Sequence, residues 1–398
     1  MDDGGGSRVT YPAPPVAFGF PAWSPDGSQI AVVGTGADDS AIYVFDVPKP
    51  GSGTVPAIGP EPVVIYRSAE RLPFYLYWRP DGRHVGFLAG EPVGISLRVA
   101  PADGSGPLDG GGTAAAIRRG QPLYFDWVDA RRLLVHVNLG SDAFTGEVGL
   151  DGAPLEPSLD GSGLFRSASL SRDGSWVAYV SSAGDGSQKL VVASRPGPGS
   201  HETEVFGPTA FVFDPAGDAL AWIASDEPVG PEAGLPIGPL RLTDPTTGAV
   251  RTLLDRPVVG FFWSPDGRTI ATILPSQPGD DVVNPGTGGV SGAAAIAVRR
   301  AVSPVGQAGG VLARLAFVDV STGATRSERV VRLAEGFVNQ LLPYFDQYAL
   351  SHRVWAPDSA ALLLPLVDAI AGYQLVAVSP DGAEPKPVAD GMRGFWSP

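Results

Sequence analysis

Trp263-Ser264-Pro265-Asp266-Gly267, followed directly by Arg268-Thr269-Ile270-Ala271-Thr272-Ile273-Leu274, is the stretch on which the reading of this chain turns. An aromatic residue closes one strand, a tight turn reverses the chain, and an apolar β-branched run opens the next strand. Pro265 presets φ, Asp266 can accept backbone N–H groups, and Gly267 tolerates positive φ, which together suit a hairpin. Versions of the same turn recur from end to end.

With the last residue of each first strand as a marker, the copies fall at Trp23, Trp78, Trp127, Leu170, Phe213, Trp263 and Trp355, and an eighth marker, Trp396, lies near the end. The turn decays from copy to copy. Trp23-Ser-Pro-Asp-Gly27 is complete, Arg79 replaces the Ser after Trp78, and Asp214 brings its carboxylate one position early. The copy after Trp127 is the weakest and predicts a different turn. Second strands follow at Ile30–Val33, Val85–Leu88, Leu133–Val137, Trp176–Val180, Leu220–Ala224, Ile270–Leu274 and Ala361–Leu364. Third strands (such as Ala41–Asp46 and Tyr373–Val378) and outer strands (Val63–Tyr66, Arg329–Leu333) complete the unit. Periods in the forties with four strands each predict an all-β fold, a β-propeller, with seven four-stranded blades favoured over eight. The expectation is one domain over residues 1–398. The eighth marker, at Gly391–Trp396, would fasten against the first blade or start a partial blade with Arg8–Tyr11.

The repeat itself resembles that of TolB-like propellers. The same W-S-P-D-G turn and I-A-type strand occur in the propeller domains of prolyl-oligopeptidase-type enzymes and in oligogalacturonate lyases. The resemblance covers nearly the whole chain and implies the fold far more than any activity, since one fold hosts many functions.

Composition narrows the field. The net charge is −14 and lysine is confined to Lys49, Lys189 and Lys386, so no basic track for a nucleic acid or an anionic membrane exists. The absence of cysteine removes thiol catalysis, thiolate metal sites and disulfides. No apolar run reaches transmembrane length, so no membrane insertion is expected. Residues 1–10 lack the pattern of a signal peptide. The TolB resemblance nevertheless places the protein outside the cytoplasm, in the periplasm or at the cell surface.

Chemistry-bearing motifs are few. No G-x-S-x-G nucleophile elbow, P-loop, strand-linked G-x-G-x-x-G or EF-hand loop occurs, and no cofactor is expected. Asp26, Asp81, Asp173, Asp266 and Asp358 share one turn position, where capping accounts for them. His84, His136, His201 and His352 are dispersed, which offers little to the histidine-rich metal site that the lyase resemblance implies. Neither catalytic nor metal-ligating residues are assigned.

One interval breaks the rhythm: 92 residues separate Trp263 from Trp355. Its first part, about 275–310, reads as a surface insertion, with a hairpin at Ala295–Val302. Its second part, about 335–353, has apolar residues at helix-like spacing (Phe337, Leu341, Leu342, Phe345) and predicts a helical segment over one mouth of the channel. Tyr344, Asp346, Gln347, Tyr348, His352 and Arg353 gather there as candidate binding residues. A helical plug, its polar groups satisfied by nearby strand ends, accounts for the same residues. The expected function is binding or scaffolding of a protein or peptide partner without catalysis. The alternative is a carbohydrate-active lyase or hydrolase working with polar channel residues on a carbohydrate or other small molecule.

Overall fold

Each W-S-P-D-G turn closes on its own side chains. Ser264 Oγ accepts the Thr269 N–H at 3.0 Å and donates to the Asp266 carboxylate at 2.6 Å, which also accepts the Arg268 N–H at 3.0 Å. Gly267 takes φ +69°, a conformation that a side chain disfavours. The same serine-to-aspartate arrangement recurs at Ser24 and Ser171. Where the serine is missing, another group takes its part. Asp214 itself accepts the Ala219 N–H at 2.9 Å, and Arg79 donates to Asp81 at 2.8 Å.

The computed structural model describes residues 16–47, 59–106, 116–137, 144–159, 168–183, 186–195, 197, 199–230, 234–280, 310–349, 351–368 and 372–398. The proposed hairpin at Ala295–Val302 and the strand at Arg8–Tyr11 lie outside them. The described residues are all-β apart from a few short helical turns. Two compact units divide the chain, Met1–Ala168 with Ser397–Pro398, and Ser169–Trp396.

The first unit holds three antiparallel sheets, each a four-stranded meander. They are β1 (Ala17–Trp23) to β4 through β2 (Gln29–Thr35), β3 (Ser40–Asp46) and β4 (Val63–Ser68); then β5 (Pro73–Trp78), β6 (His84–Gly90), β7 (Ile95–Pro101) and β8 (Arg118–Gly120); then β9 (Leu123–Trp127), β10 (Arg132–Val137), β11 (Phe144–Gly149) and β12 (Pro154–Leu159). The second unit departs from the expected sheets of four. Its first sheet runs through seven strands, β13 (Ser169–Leu170), β14 (Trp176–Ser182), β15 (Gln188–Ser194), β16 (Ser200–Phe213), β17 (Leu220–Ser225), β18 (Gly238–Thr243) and β19 (Val250–Val258). The 14-residue β16 causes the fusion: its first half pairs with β15 and its second half with β17, across a register shift that contains Gly207 at φ +67°.

The last sheet also has seven strands, β20 (Gly260–Trp263), β21 (Thr269–Pro275), β22 (Gly310–Asp319), β23 (Thr325–Ala334), β24 (Leu362–Asp368), β25 (Gly372–Val378) and β26 (Lys386–Asp390). A single pair, Leu333 with Leu366, joins its two meanders. The first strand of the final meander shrinks to an isolated bridge between Trp355 and Leu362.

Marker tryptophans tie successive meanders within each unit. Trp78 Nε1 donates to the Ala22 carbonyl at 2.9 Å and Trp127 Nε1 to Tyr77 at 3.1 Å; in the second unit Trp263 Nε1 reaches Val212 at 3.1 Å and Trp355 Nε1 reaches Phe262 at 3.0 Å. In every case the acceptor directly precedes the marker of the preceding copy. A large apolar ring, buried at Trp78, Trp127 and Trp355 and partly buried at Trp263, thereby has its one polar atom satisfied. Trp396 lies in no strand; its backbone N–H donates to the Arg353 carbonyl at 2.8 Å.

Candidate functional site

Beyond β23 the second unit carries an irregular segment that repetition does not explain. It is not a continuous helix. A π-helical turn (Phe337–Leu341), a 3-10 turn (Leu342–Tyr344) and a one-turn α-helix (Phe345–Tyr348) follow one another. Pro343 accounts for the breaks, since it has no N–H to donate and its ring crowds the preceding turn. Phe337, Leu342 and Phe345 are buried, and Leu341 is partly buried against the same core.

The seat of these anchors is β20. The Phe345 ring lies edge-on to Phe261 at 4.9 Å and to Phe262 at 5.9 Å, with Phe337 at 6.3 Å from Phe262. Gly260 makes the approach feasible: a Cβ there would stand 2.5 Å from Leu342 Cδ1. The segment is therefore fixed to the sheet by three buried side chains and one missing one.

The six candidate residues separate into distinct environments. Tyr344 is 49% exposed, and Arg353 is exposed. Asp346, Gln347 and Tyr348 are half-buried, and the Asp346 carboxylate accepts the Gln347 N–H at 3.0 Å. Burial pushes the Tyr348 phenol up to about 12, with Arg393 pulling the other way. His352 lies inside the packing instead of being presented to a ligand. Only 6% exposed, its ring meets Tyr348 at 4.8 Å and Phe395 at 4.5 Å, both edge-on, and Nδ1 contacts Ser351 Oγ at 2.7 Å. Burial drives its pKa down to about 3, and the Arg393 charge acts in the same direction. Such an imidazole stays neutral at ordinary pH and makes a poor acid or base for solution chemistry.

The C-terminal stretch is the part that sequence reasoning missed. Phe395 covers His352, Gly394 lies tightly against Leu375 and Leu363, and Trp396 binds the Arg353 backbone. Its sequence signal was the eighth marker, expected to fasten against the first blade or to start a partial blade. The turn aspartates behave as caps: Asp26, Asp81, Asp173, Asp266 and Asp358 each accept a backbone N–H two residues on. Hydrogen bonds from the Ser28 and Ser24 side chains and the Ser28 N–H hold Asp26 at about 2. Among the described residues no three His, Asp or Glu side chains gather as a metal ion requires. Nor is any described helix long and apolar enough to cross a membrane.

The sequence matches no protein-family model and no curated protein. Similarity emerges at the level of structure. TolB from Acinetobacter baumannii aligns with a TM-score of 0.38 at 13% identity, covering 90% of this chain and 62% of that one. The β-propeller domain of the Trilobed protease from Pyrococcus furiosus gives 0.41 at 11%, covering 96% and 86%. Oligopeptidase B from Leishmania major gives 0.53 at 10%, covering 96% of this chain and 49% of that one. The chain thus spans under two thirds of that TolB and about half of the oligopeptidase. At these identities the likeness concerns the fold alone, all-β with propeller proteins among its neighbours.

Proposed function

We propose that the successive meanders are the seven blades of one TolB-like propeller, and that the protein is a non-enzymatic module binding or scaffolding a protein or peptide partner at the cell envelope. Segment 335–353 covers a mouth of the channel in this reading, and Tyr344 and Arg353 make the first contacts, with Asp346 and Gln347 beside them. The observation that carries it is the exposure of Tyr344 directly between Leu342 and Phe345, two buried anchors. Its backbone is held in place before any partner arrives, which lowers the entropic cost of association. Tyr and Arg are also the residue types that most often dominate partner recognition. The withdrawal of His352 into the packing weakens a mechanism based on a Tyr/His acid–base pair.

Affinity capture from an envelope extract of the native host, comparing the wild type with Tyr344→Ala/Arg353→Ala, tests the reading. A specific partner should be retained by the wild type and reduced about tenfold or more by the double variant, a loss of about 1.4 kcal/mol. Equal retention by both, with both folded, would move the site elsewhere.

A further inference from the structure

The first strand of the third sheet, β9, reads Leu-Tyr-Phe-Asp-Trp, and all five residues are buried. Phe125 and Trp127 fill the space that a side chain on Gly86 would need, and the Trp127 indole holds the Tyr77 carbonyl. Asp126 interrupts this apolar seam. It is 3% exposed, stands opposite the equally buried Leu134 on β10, and is hydrogen-bonded by the Tyr77 hydroxyl from the second sheet and by the Trp127 N–H.

Among the described residues no cation pairs with it. The titratable groups on the strands packed around β9 include Tyr75 and Tyr77 on β5, Tyr124 on β9 itself, His136 on β10, Glu147 on β11 and Arg98 on β7. Arg98 is engaged with Glu91 at 2.7 Å, and Glu147 with Arg132 at 3.0 Å. None of them acts on Asp126 as a charge. A carboxylate in that position would lack both solvent and counter-ion, whereas a neutral acid requires neither.

We propose that Asp126 is a proton-operated latch between the second and third sheets, closing the seam as a neutral acid and loosening it when ionised. Burial pushes the carboxyl up to about 7, against the pull of the Trp127 and Tyr77 hydrogen bonds. The folded state then binds the proton more tightly than the unfolded chain does. This contribution is complete below about pH 4, falls as pH rises to about 7, and is gone above that. An asparagine would keep a hydrogen-bonding side chain of the same shape and have no such dependence, which makes the carboxyl a proton sensor and not merely a polar core residue.

The test compares folding equilibria of the wild type, Asp126→Asn and Tyr77→Phe from pH 5 to 8. His352 responds in the opposite direction at lower pH, so the difference between proteins is the quantity to read. Relative to Asp126→Asn, the wild type should lose about a hundredfold in its folding equilibrium across that range. Tyr77→Phe should move the midpoint of this loss to higher pH, because the phenol favours the ionised form. Infrared titration of the wild type supplies a readout that needs no variant to fold: a protonated-carboxyl C=O band should vanish around neutral pH. No such band, or parallel pH profiles for the wild type and a folded Asp126→Asn, would overturn the proposal.

Discussion

Replacing Phe345 by alanine tests whether the irregular segment is an anchored platform. The ring is fully buried and packs edge-on against both Phe261 and Phe262. Truncation of a buried phenylalanine costs about 3–5 kcal/mol, part of it from the cavity left behind. Edge-to-face pairs supply about 0.5–1.5 kcal/mol of such a loss. For a unit of this size each kcal/mol shifts Tm by about 2–4 °C, so a fall of roughly 6–20 °C is expected. Its neighbour Tyr344 is half exposed, and Tyr344→Ala should stay within about 0.5 kcal/mol, as surface changes do. Calorimetry and urea titration of the two variants side by side give the comparison. If Phe345→Ala costs under about 1 kcal/mol while Tyr344→Ala costs more, the segment is not seated on β20 and the platform argument fails.

Gly260→Ala should displace Leu342 or open the segment, since the new Cβ would lie 2.5 Å from Leu342 Cδ1; a cost of about 1–3 kcal/mol is expected, and an unchanged urea midpoint would refute the close seating. Trp355→Phe removes the indole bond to Phe262 and should cost about 1–3 kcal/mol at that buried position, read by thermal unfolding. Asp266→Ala should cost about 1 kcal/mol through its lost turn bonds and leave partner capture intact; lost capture in a fully stable variant would make Asp266 a site residue. His352, with its folded pKa lowered to about 3, should make stability fall as pH drops from about 6.5 towards 3, and His352→Gln should flatten that slope in urea titrations at pH 7, 5 and 4.

The strands were legible because each is a short apolar run ended by a turn with its own chemistry. All seven predicted second strands are present, with boundaries shifted by at most a few residues. The turn was legible as a turn but not in its details. Asp266 looked like the whole cap, whereas Ser264 Oγ makes the bond to the following strand. The separation between sheets could not be read at all. Whether β16 breaks or continues depends on a local register shift at Gly207, which leaves no periodic signal. At the candidate site, helical spacing correctly marked the buried anchors, but Pro343 divided the helix. His352 stood among the candidate binding residues because proximity in sequence to Tyr348 and Arg353 carries no information about burial. Its cover comes from Phe395, 43 residues away.

One repeat position shows how a regular fold makes room for an inserted segment. The residue three before the marker is aromatic in the first three copies, Phe20, Tyr75 and Tyr124, and both Phe20 and Tyr75 are held at φ near +50°. In the later copies the same position is Ser167, Ala210, Gly260 and His352. The backbone register is set by the repeat, and so is the marker's bond to its neighbour, so this side chain is free to vary without loss of the sheet. At Gly260 the vacancy is filled by Leu342, and the inserted segment gains its seat; at His352 the same position meets that segment again through Tyr348. A long insertion between meanders would otherwise be a solvated loop with nothing to bury. Two departures from the repeat, one at each end of the insertion, give it an apolar floor. A change that restores bulk at position 260 should therefore act on the 335–353 segment before it acts on the sheet, and the variants at Gly260 and Phe345 should weaken partner capture only as far as they loosen Tyr344.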